Sequence, residues 1–458
     1  MQLGGTVVFC ETFDNKNPGI PSRTGDLDPN VWGVSRLSGV VNFGQNQFNE
    51  WASTLIQKCD GTTPRVNAPG DIVICNGQLR EASNDSPKGC FDCGGVTVLA
   101  MYPKQPFDFA GRTGTVSFEV SNNSHGSHAA WPEFWLTDLP VPAPTFFSVA
   151  WPNVSQHAMG LRFSAAVGAG SQGACPIANN LNKRRWTVDS AVVVRNYVVE
   201  DISAFEPGSR LQILDCVAAP PDGSGILNHV EIKIAQNQID VYATDAGVAP
   251  SPSTLRRIAT LTNANLSFTR GLIWLEDFHY NADKGDPPSQ REHTFVWDNV
   301  AFDGPFTFRD FSFDALDNTA PGENGSVNLG KLSNANQTAS WNVLGMPANP
   351  QATAVRVLFN FNTNAPNPTV LNVTVNGHAH PTPWPYPPNT LAGWYTLAVT
   401  IPITDLVAGT NVVQLGSDQP MVSSNVNIVL VNVPGGVPVL PGSNNAYPAG
   451  GASLGSPR

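Results

Sequence analysis

The sequence predicts an all-β protein, and three observations support this prediction. Charged residues make up only 13% of the 458 residues, whereas glycine (41) and proline (39) are abundant, as in a chain that folds around many turns. Short runs rich in Val, Ile, Phe and Thr lie between Gly, Pro and Asn clusters, and most of them alternate apolar with polar residues. The sequence contains no convincing amphipathic helix longer than two turns. Stacked β-sheets are therefore the expected architecture.

Two groups of strand-like runs divide the chain. Residues 1–305 include the runs GTVVFCETF, GTVSFEVS and HTFVWDNVAF. All cysteines of the chain, from Cys10 to Cys216, also lie in residues 1–305. Asn, Val and Pro then dominate, and residues 306–433 contain further runs such as AVRVLFNFN and NVNIVLVNV. This second group is predicted to form a smaller β-sandwich. Residues 434–458 have one charge and many Pro and Gly, so we predict a flexible tail.

The charge and cysteine content bear on the class of protein. The 25 basic and 36 acidic residues give a net charge of −11 without a basic cluster, so no nucleic-acid partner is expected. No apolar run of about 18 residues occurs, and no membrane insertion is expected. Seven clustered cysteines and few charges predict a secreted, extracellular protein with disulfides. The alternative is a cytosolic protein with buried thiols, and the disulfide pairing stays open.

The segment HAAWPEFWLTDLP carries an unusual pattern. Trp131, Glu133 and Trp135 occupy every second position, which places two indoles and a carboxylate on one face of a strand. The run GLIWLEDFHY repeats this arrangement with Trp274 and Glu276. Such faces suit a sugar ring and its hydroxyl groups, but an aromatic core strand would have the same pattern.

Four segments, in this order, resemble the concanavalin A-like lectin and glucanase superfamily, especially family 16 glycoside hydrolases. They are FCETFDNKNPGIPSRTGDLDPNVWGV, WPEFWL, NHVEIKIAQNQIDVYATDAG and HTFVWDNVAFDGP. The resemblance covers about two thirds of the chain. It implies that residues 1–305 form a concanavalin A-like β-jelly-roll sandwich whose concave sheet holds polysaccharide.

The sequence departs from that family at the catalytic motif. In family 16 the strand after the WPEFWL-like strand carries E-x-D-x-E, whereas here the expected strand is HAMGLRFSAA. Its alternating positions are Gly160, Arg162 and Ser164, without a carboxylate. Catalysis of the family 16 type is therefore not predicted. Glu133 and Glu276 form an alternative, nonstandard catalytic pair, because an acid beside indoles has a raised pKa. A binding role for these two acids is the preferred hypothesis.

Further residues are predicted to contact a glycan or a metal. The predicted glycan contacts are Trp131, Trp135, Arg162, Trp274 and His279, together with Trp384 and Tyr386 in the Pro-rich loop NGHAHPTPWPYPPN of the second sandwich. That loop has a packing role as its alternative. The resemblance also implies a structural Ca²⁺ held by Glu11 and Asp298, since family 16 proteins often bind calcium through an acid near the N-terminus and an aspartate on the closing strand.

The sequence leads to one preferred function and two alternatives. The preferred hypothesis is a secreted polysaccharide-binding protein that uses a glucanase-like concave sheet. The first alternative is a glycoside hydrolase or lyase with a nonstandard carboxylate pair. The second is an extracellular structural or surface-assembly protein, because a low charge and exposed sheet edges favour self-association.

Overall fold

The architecture is known from a computed structural model. It describes residues 7–13, 27, 31–42, 45–47, 56–57, 64–65, 70–84, 95–122, 130–138, 157–166, 185–196, 198–220, 225–280, 292–304, 308–314, 330–332, 334, 337–363, 370–383 and 393–434. Most of this part of the chain is antiparallel β-strand. The predicted all-β class is thus confirmed.

Strands β1 to β21 belong to the first part of the chain. They are β1 Val7–Glu11, β2 Trp32–Asn42, β3 Gln45–Gln47, β4 Ile56–Gln57, β5 Pro64–Arg65, β6 Gly70–Cys75, β7 Gln78–Asn84, β8 Gly95–Pro103, β9 Phe107–Asp108, β10 Gly114–Asn122, β11 Ala130–Thr137, β12 His157–Ala166, β13 Arg185–Arg195, β14 Val198–Ser203, β15 Leu211–Ile213, β16 Val217–Ala218, β17 Asn228–Ile234, β18 Gln238–Ala243, β19 Arg256–Thr262, β20 Arg270–Tyr280 and β21 Glu292–Asp303.

Most of these strands form two large sheets, and β4 and β5 pair only with each other. The nine-stranded sheet has the order β15-β19-β18-β17-β10-β21-β7-β6, with β1 paired to β21. The ten-stranded sheet has the order β14-β13-β12-β11-β20-β8-β2-β3, with β16 on β13 and β9 on β20. Some neighbours, such as β10 and β21, are far apart in sequence, whereas others, such as β17 and β18, are consecutive, so the sandwich combines long-range pairing with local hairpins.

One hydrophobic core fills the space between the two sheets. Phe118 of the nine-stranded sheet stacks on Phe134 of the ten-stranded sheet, with ring centroids 6.1 Å apart, and meets Phe163 edge-on. All three side chains are fully buried. Because strand side chains alternate, the residues directly before and after each of these phenylalanines point to the outer face of its sheet.

Strands β22 to β30 form a second sandwich. They are β22 Phe308–Asp314, β23 Gly330–Leu332, β24 Thr338–Met346, β25 Ala354–Thr363, β26 Val370–Val375, β27 His378–Pro383, β28 Gly393–Ile401, β29 Gly409–Ser417 and β30 Met421–Pro434, with a 3-10 turn at Ile403–Asp405. The order β22-β30-β25-β28, with β23 on β30, makes a five-stranded sheet, and β24-β29-β26-β27 makes a four-stranded sheet. A separate core that includes Trp341, Val357 and Val373 lies between them.

The predicted domain boundary falls between β21 and β22, where strand pairing changes from one set of sheets to the other. The exact limits 1–305 and 306–433 stay predictions. The predicted tail of residues 434–458 lies outside the described residues after Pro434. Within the described part of the chain, no helix has the length and apolar character needed to cross a membrane.

Candidate functional site

The candidate site lies on the outer face of the ten-stranded sheet, the face turned away from the nine-stranded sheet. Phe134 and Leu136 of β11 enter the core between the sheets. Trp131 and Trp135 join a different cluster on the other side of the same strand. Glu133 lies between them in the alternation, so the predicted shared face of Trp131, Glu133 and Trp135 is confirmed.

The strand register builds a polar row across this outer face. Glu133 of β11 is directly opposite Glu276 of β20 on one side and Arg162 of β12 on the other. Arg162 in turn is opposite Ser190 of β13. Directly opposed residues have Cβ atoms about 5 Å apart. The row therefore brings two carboxyl groups and a guanidinium together. The segment HAMGLRFSAA forms the strand that follows WPEFWL, as predicted, and pairs with it.

An aromatic row runs beside the polar row. Trp135 and Trp274 are cross-strand partners with 0% and 1% of their surface exposed. The Trp135 indole Nε1 donates a 2.9 Å hydrogen bond to Oε2 of Glu133, and Trp274 Nε1 donates to Oγ1 of Thr137 at 3.1 Å. Burial to this degree leaves neither ring open to a ligand. The predicted sugar-stacking role of these two indoles therefore has no support from their packing.

Gly160 makes room for the Trp135 indole. The two residues are opposite each other on β12 and β11, and a Cβ atom at Gly160 would lie 2.6 Å from ring carbons of Trp135. A fully buried indole cannot move away without displacing its neighbours. The glycine in HAMGLRFSAA is thus a packing requirement of the aromatic row.

Replacing Gly160 by alanine is expected to destabilise the protein by about 1 to 3 kcal/mol through overpacking. Thermal and urea unfolding would measure the loss. Gly416→Ala is the matched control, because Gly416 also lies in a strand and its added Cβ would approach nothing closer than 3.4 Å. Equal stability of the two variants would contradict the proposed contact between position 160 and the indole.

Trp131 and Arg162 form the accessible end of the site. Trp131 is partly exposed and stacks on Phe278 of β20 with ring centroids 5.6 Å apart. From the neighbouring strand on the other side, the Arg162 guanidinium lies 5.0 Å from the Trp131 ring centroid. A cation over an indole is an attractive contact. Trp131 therefore holds the arginine in place and does not present a free ring face.

Arg162 is fixed by polar partners as well. Its Nε donates to Oδ1 of Asp189 at 3.1 Å, and its Nη2 donates to Oγ of Ser190 at 2.8 Å. A register shift between Arg162 and Phe163 marks a β-bulge at Asp189, which adds this carboxylate to the row. The arginine side chain still has 27% of its surface exposed. A guanidinium carries five N–H donors, and the exposed part of this one is accessible to a ligand.

The two glutamates at the centre of the polar row are fully buried. Glu133 accepts the Trp135 hydrogen bond, whereas neither carboxyl oxygen of Glu276 has a hydrogen-bond partner among the described residues. Burial raises the pKa of Glu276 well above its ordinary value, and the nearby carboxylates of Glu133 and Glu81 raise it further. Both effects favour the protonated form of Glu276, as expected for two neighbouring acids in a dry site.

Two more buried acids lie on the inner faces of the two sheets, Asp277 on the ten-stranded sheet and Glu81 on the nine-stranded sheet. Asp277 alternates with Glu276 along β20, and Glu81 of β7 accepts a 2.5 Å hydrogen bond from Nε1 of Trp297. Both acids are fully buried. Strand alternation places Asp277 on the other side of the sheet from Glu276, whereas no local sequence signal indicates the burial of Glu81, which depends on the facing sheet.

The remaining predicted glycan contacts are not part of the described geometry. His279 lies on β20, and its side chain is outside the described residues. Trp384 and Tyr386 also lie outside the described residues, so their glycan role stays a prediction.

The predicted calcium ligands do not face each other. Glu11 of β1 is opposite Val300, a core residue, and its Oε1 accepts a hydrogen bond from the Phe13 backbone N–H. Asp298 is opposite Glu119 on the other side of the bulge. Among the described residues, no group of three or more His, Cys, Asp or Glu side chains is arranged to hold a metal. Calcium stays a prediction, and the register does not favour one ion that touches both carboxylates.

No protein-family model matches the sequence, and no curated protein is similar to it. Solved structures resemble the first sandwich. SCLam, a non-specific endo-β-1,3(4)-glucanase from family GH16, is 10% identical, with a TM-score of 0.34 over 66% of this chain and 92% of that chain. The Bacillus licheniformis β-glucanase is 12% identical, with a TM-score of 0.30 over 66% and 100% of the two chains.

A lectin-type domain is also similar in structure. The exoplasmic domain of VIP36, in a form bound to Ca²⁺ and Man2, is 11% identical, with a TM-score of 0.31 over 56% of this chain and 88% of that chain. These are proteins with the concanavalin A-like fold that the sequence motifs resemble. At such identities and scores the likeness carries no argument about activity or ligand, and function has to be argued from the side chains.

Proposed function

We propose that the chain is a polysaccharide-binding protein whose ligand contacts the Arg162 end of the outer face. One observation carries this proposal: Arg162 is held by Trp131, Asp189 and Ser190 and is still partly exposed. A preorganised donor loses little conformational entropy when it binds. The exposed part of its guanidinium, near the exposed Asp201 of β14, suits the donor and acceptor hydroxyl groups of a glycan.

The burial of the carboxyl pair favours binding over hydrolysis. A glycosidase needs two carboxyl groups that reach the scissile bond from opposite sides. Glu133 and Glu276 are fully buried, and Glu133 is engaged by the indole of Trp135. We therefore assign these two acids to the support of the aromatic row rather than to direct attack on a sugar.

The binding proposal is tested with the Arg162→Gln variant. Retention on a panel of insoluble glucan, xylan, mannan, galactan and acidic polysaccharides is measured by affinity electrophoresis or pull-down. Loss of charged hydrogen bonds is expected to weaken retention by about tenfold or more on the polysaccharide that the unmodified protein binds. The thermal midpoint is expected to fall as well, because the buried Asp189 loses its cationic partner. Retention is therefore measured at a temperature at which both proteins are folded.

Arg257→Gln provides the matched control for this test. Arg257 is an exposed arginine of the nine-stranded sheet with an ion pair to Asp240 at 3.5 Å, and its substitution should leave retention unchanged. If the unmodified protein binds none of the polysaccharides, or if both variants bind as well as it does, the proposal is wrong.

A second candidate function is a hydrolase or lyase that uses Glu133 and Glu276. It is favoured by their direct opposition across β11 and β20 and by the raised pKa of Glu276, which keeps a proton available for a leaving group. The test is the release of reducing ends or unsaturated products from any polysaccharide. If the unmodified protein releases them and both Glu133→Gln and Glu276→Gln do not, the protein is an enzyme and the binding proposal is wrong.

We also propose an extracellular location. Seven cysteines lie between Cys10 and Cys216, and we expect disulfides among them, which are typical of oxidising compartments. Low charge and a negative balance agree with this location but do not decide it. Mass analysis of the secreted and the cytosolically expressed protein, with and without reductant, would test whether the disulfides form only after export.

A further inference from the structure

The four-stranded sheet of the second sandwich has an open outer face. Along β24, β29 and β26 buried and exposed residues alternate, as in a sheet with one side packed and one side in solvent. The residues on the outward side are Thr338, Ser340, Asn342, Leu344, Thr410, Val412, Gln414, Gly416, Val370, Asn372, Thr374, Ala379 and Pro381. We name this set the neutral face.

The neutral face contains no charged residue and no aromatic ring. Three of its apolar side chains, Leu344, Val370 and Val412, are among the exposed large hydrophobic residues of the described chain. Exposed strand faces normally carry Lys, Glu or Arg, which keep sheets from associating. Depletion of charge is the compositional mark of a protein–protein contact.

The other sheet of the same sandwich differs. On its outward side Leu358 and Val429 are fully buried, whereas Arg356 is half-buried and Thr400 is exposed. Among the described residues, the neutral face is therefore the more open of the two outer sheet faces, and the other face carries a charge.

A second copy of the chain fits the neutral face better than a glycan does. Around a two-fold axis each residue meets the same surface on its partner, so a charge near the axis would meet a like charge. Amide and hydroxyl groups avoid this conflict, because each can donate and accept a hydrogen bond with its own copy. A polysaccharide surface, in contrast, would be expected to use aromatic rings for stacking, and the neutral face has none.

The size of the face also agrees with a weak dimer. Strand spacing of about 4.8 Å and a rise of about 3.4 Å per residue give the four strands an area of roughly 500 to 600 Å². Two copies would bury about 1,000 to 1,200 Å², between the minimum for a biological interface and the lower end for stable specific interfaces. We infer that the chain forms a two-fold dimer in which the neutral faces of two copies pack sheet against sheet, with Gln414 on the central strand β29 near the axis.

Sedimentation velocity over a concentration series tests this inference with the full chain. Gln414→Lys and Gln414→Glu each place like charges opposite one another and are expected to raise the dimer dissociation constant at least about tenfold. An equimolar mixture of the two variants should associate again, because Lys then meets Glu. Gln351→Lys and Gln351→Glu, at an exposed position outside the face, should dimerise like the unmodified chain.

Several results would overturn the inference. They are a monomeric unmodified protein at the highest concentration reached, dimers that are insensitive to Gln414→Lys, and a mixture that does not associate. Loss of polysaccharide retention in the Gln414 variants without any change in association would assign the face to a glycan instead. If the Gln414 variants have a lowered thermal midpoint, the test is repeated with Thr374→Lys and Thr374→Glu on the adjacent strand β26. Dimers that are insensitive to these two substitutions would overturn the inference.

Discussion

Replacing Trp135 by alanine is expected to lower the free energy of unfolding by about 3 to 5 kcal/mol. The indole is fully buried, packs over Gly160, and donates the hydrogen bond that Oε2 of Glu133 accepts. Its removal creates a cavity beside a buried carboxyl group, and both effects destabilise the folded state. Urea unfolding, followed by far-UV circular dichroism, measures the change.

Trp131→Ala is the matched comparison on the same strand face. Trp131 is partly exposed, and its contacts are Phe278 and the Arg162 guanidinium. Its truncation is expected to cost at most about 2 kcal/mol of stability. It should weaken polysaccharide retention several-fold, because Arg162 loses the surface that orients it. Equal stability losses in the two variants would show that Trp131 is also a core residue and would remove the distinction between the two ends of the face.

The sequence predicts which residues of a strand share a face, because side chains at every second position point to the same side. The shared face of Trp131, Glu133 and Trp135, and the opposite direction of Asp277, follow from this period of two. Arg162 was also predicted to lie near these residues, because HAMGLRFSAA was expected to be the next strand. The structure bears out these relations in the register of β11 with β12 and β20.

The burial of this face was not predictable from the same pattern. Whether Trp135 and Trp274 face a groove or lie packed depends on residues distant in sequence, such as Tyr102, whose ring centroid is 4.3 Å from that of Trp274. The alternation shows on which side of the sheet a residue lies, but it does not show which other residues cover that side. The β-bulge that brings Asp189 to Arg162 was not predicted either, since it depends on how β13 pairs with β12.

Glu276 makes the stability of the protein depend on pH. In the folded chain burial, together with Glu133 and Glu81, raises the pKa of Glu276 well above 4.5, whereas in the unfolded chain the group is close to that ordinary value. Above about pH 4.5 the folded state therefore holds a proton that the unfolded state has released. The free energy of unfolding should fall as the pH rises, by up to about 1.4 kcal/mol per pH unit, until the pH reaches the folded-state pKa.

Other groups also titrate, so a difference between two proteins isolates Glu276. Burial by itself would lower the pKa of His229, but hydrogen bonds to Glu119 and Glu231 raise it overall. This adds stability that is lost as the pH rises. The pKa of Glu119 is lowered by its hydrogen bond to His229, although burial opposes this, so its contribution is lost as the pH falls. Both contributions are common to the unmodified protein and to a Glu276 variant.

Glu276→Gln is therefore expected to be more stable than the unmodified protein at alkaline pH and close to it in stability at mildly acid pH. The amide keeps the shape of the protonated carboxyl group and has no proton to lose, so it removes the pH dependence that Glu276 causes. Urea unfolding at steps from about pH 5 to about pH 8 should show a difference in unfolding free energy that grows with pH. A difference that is constant across this range would mean that Glu276 is ionised in the folded protein. The carboxyl pair would then require a bound cation or a proton on Glu133, and the assignment of these acids to the support of the aromatic row would have to be abandoned.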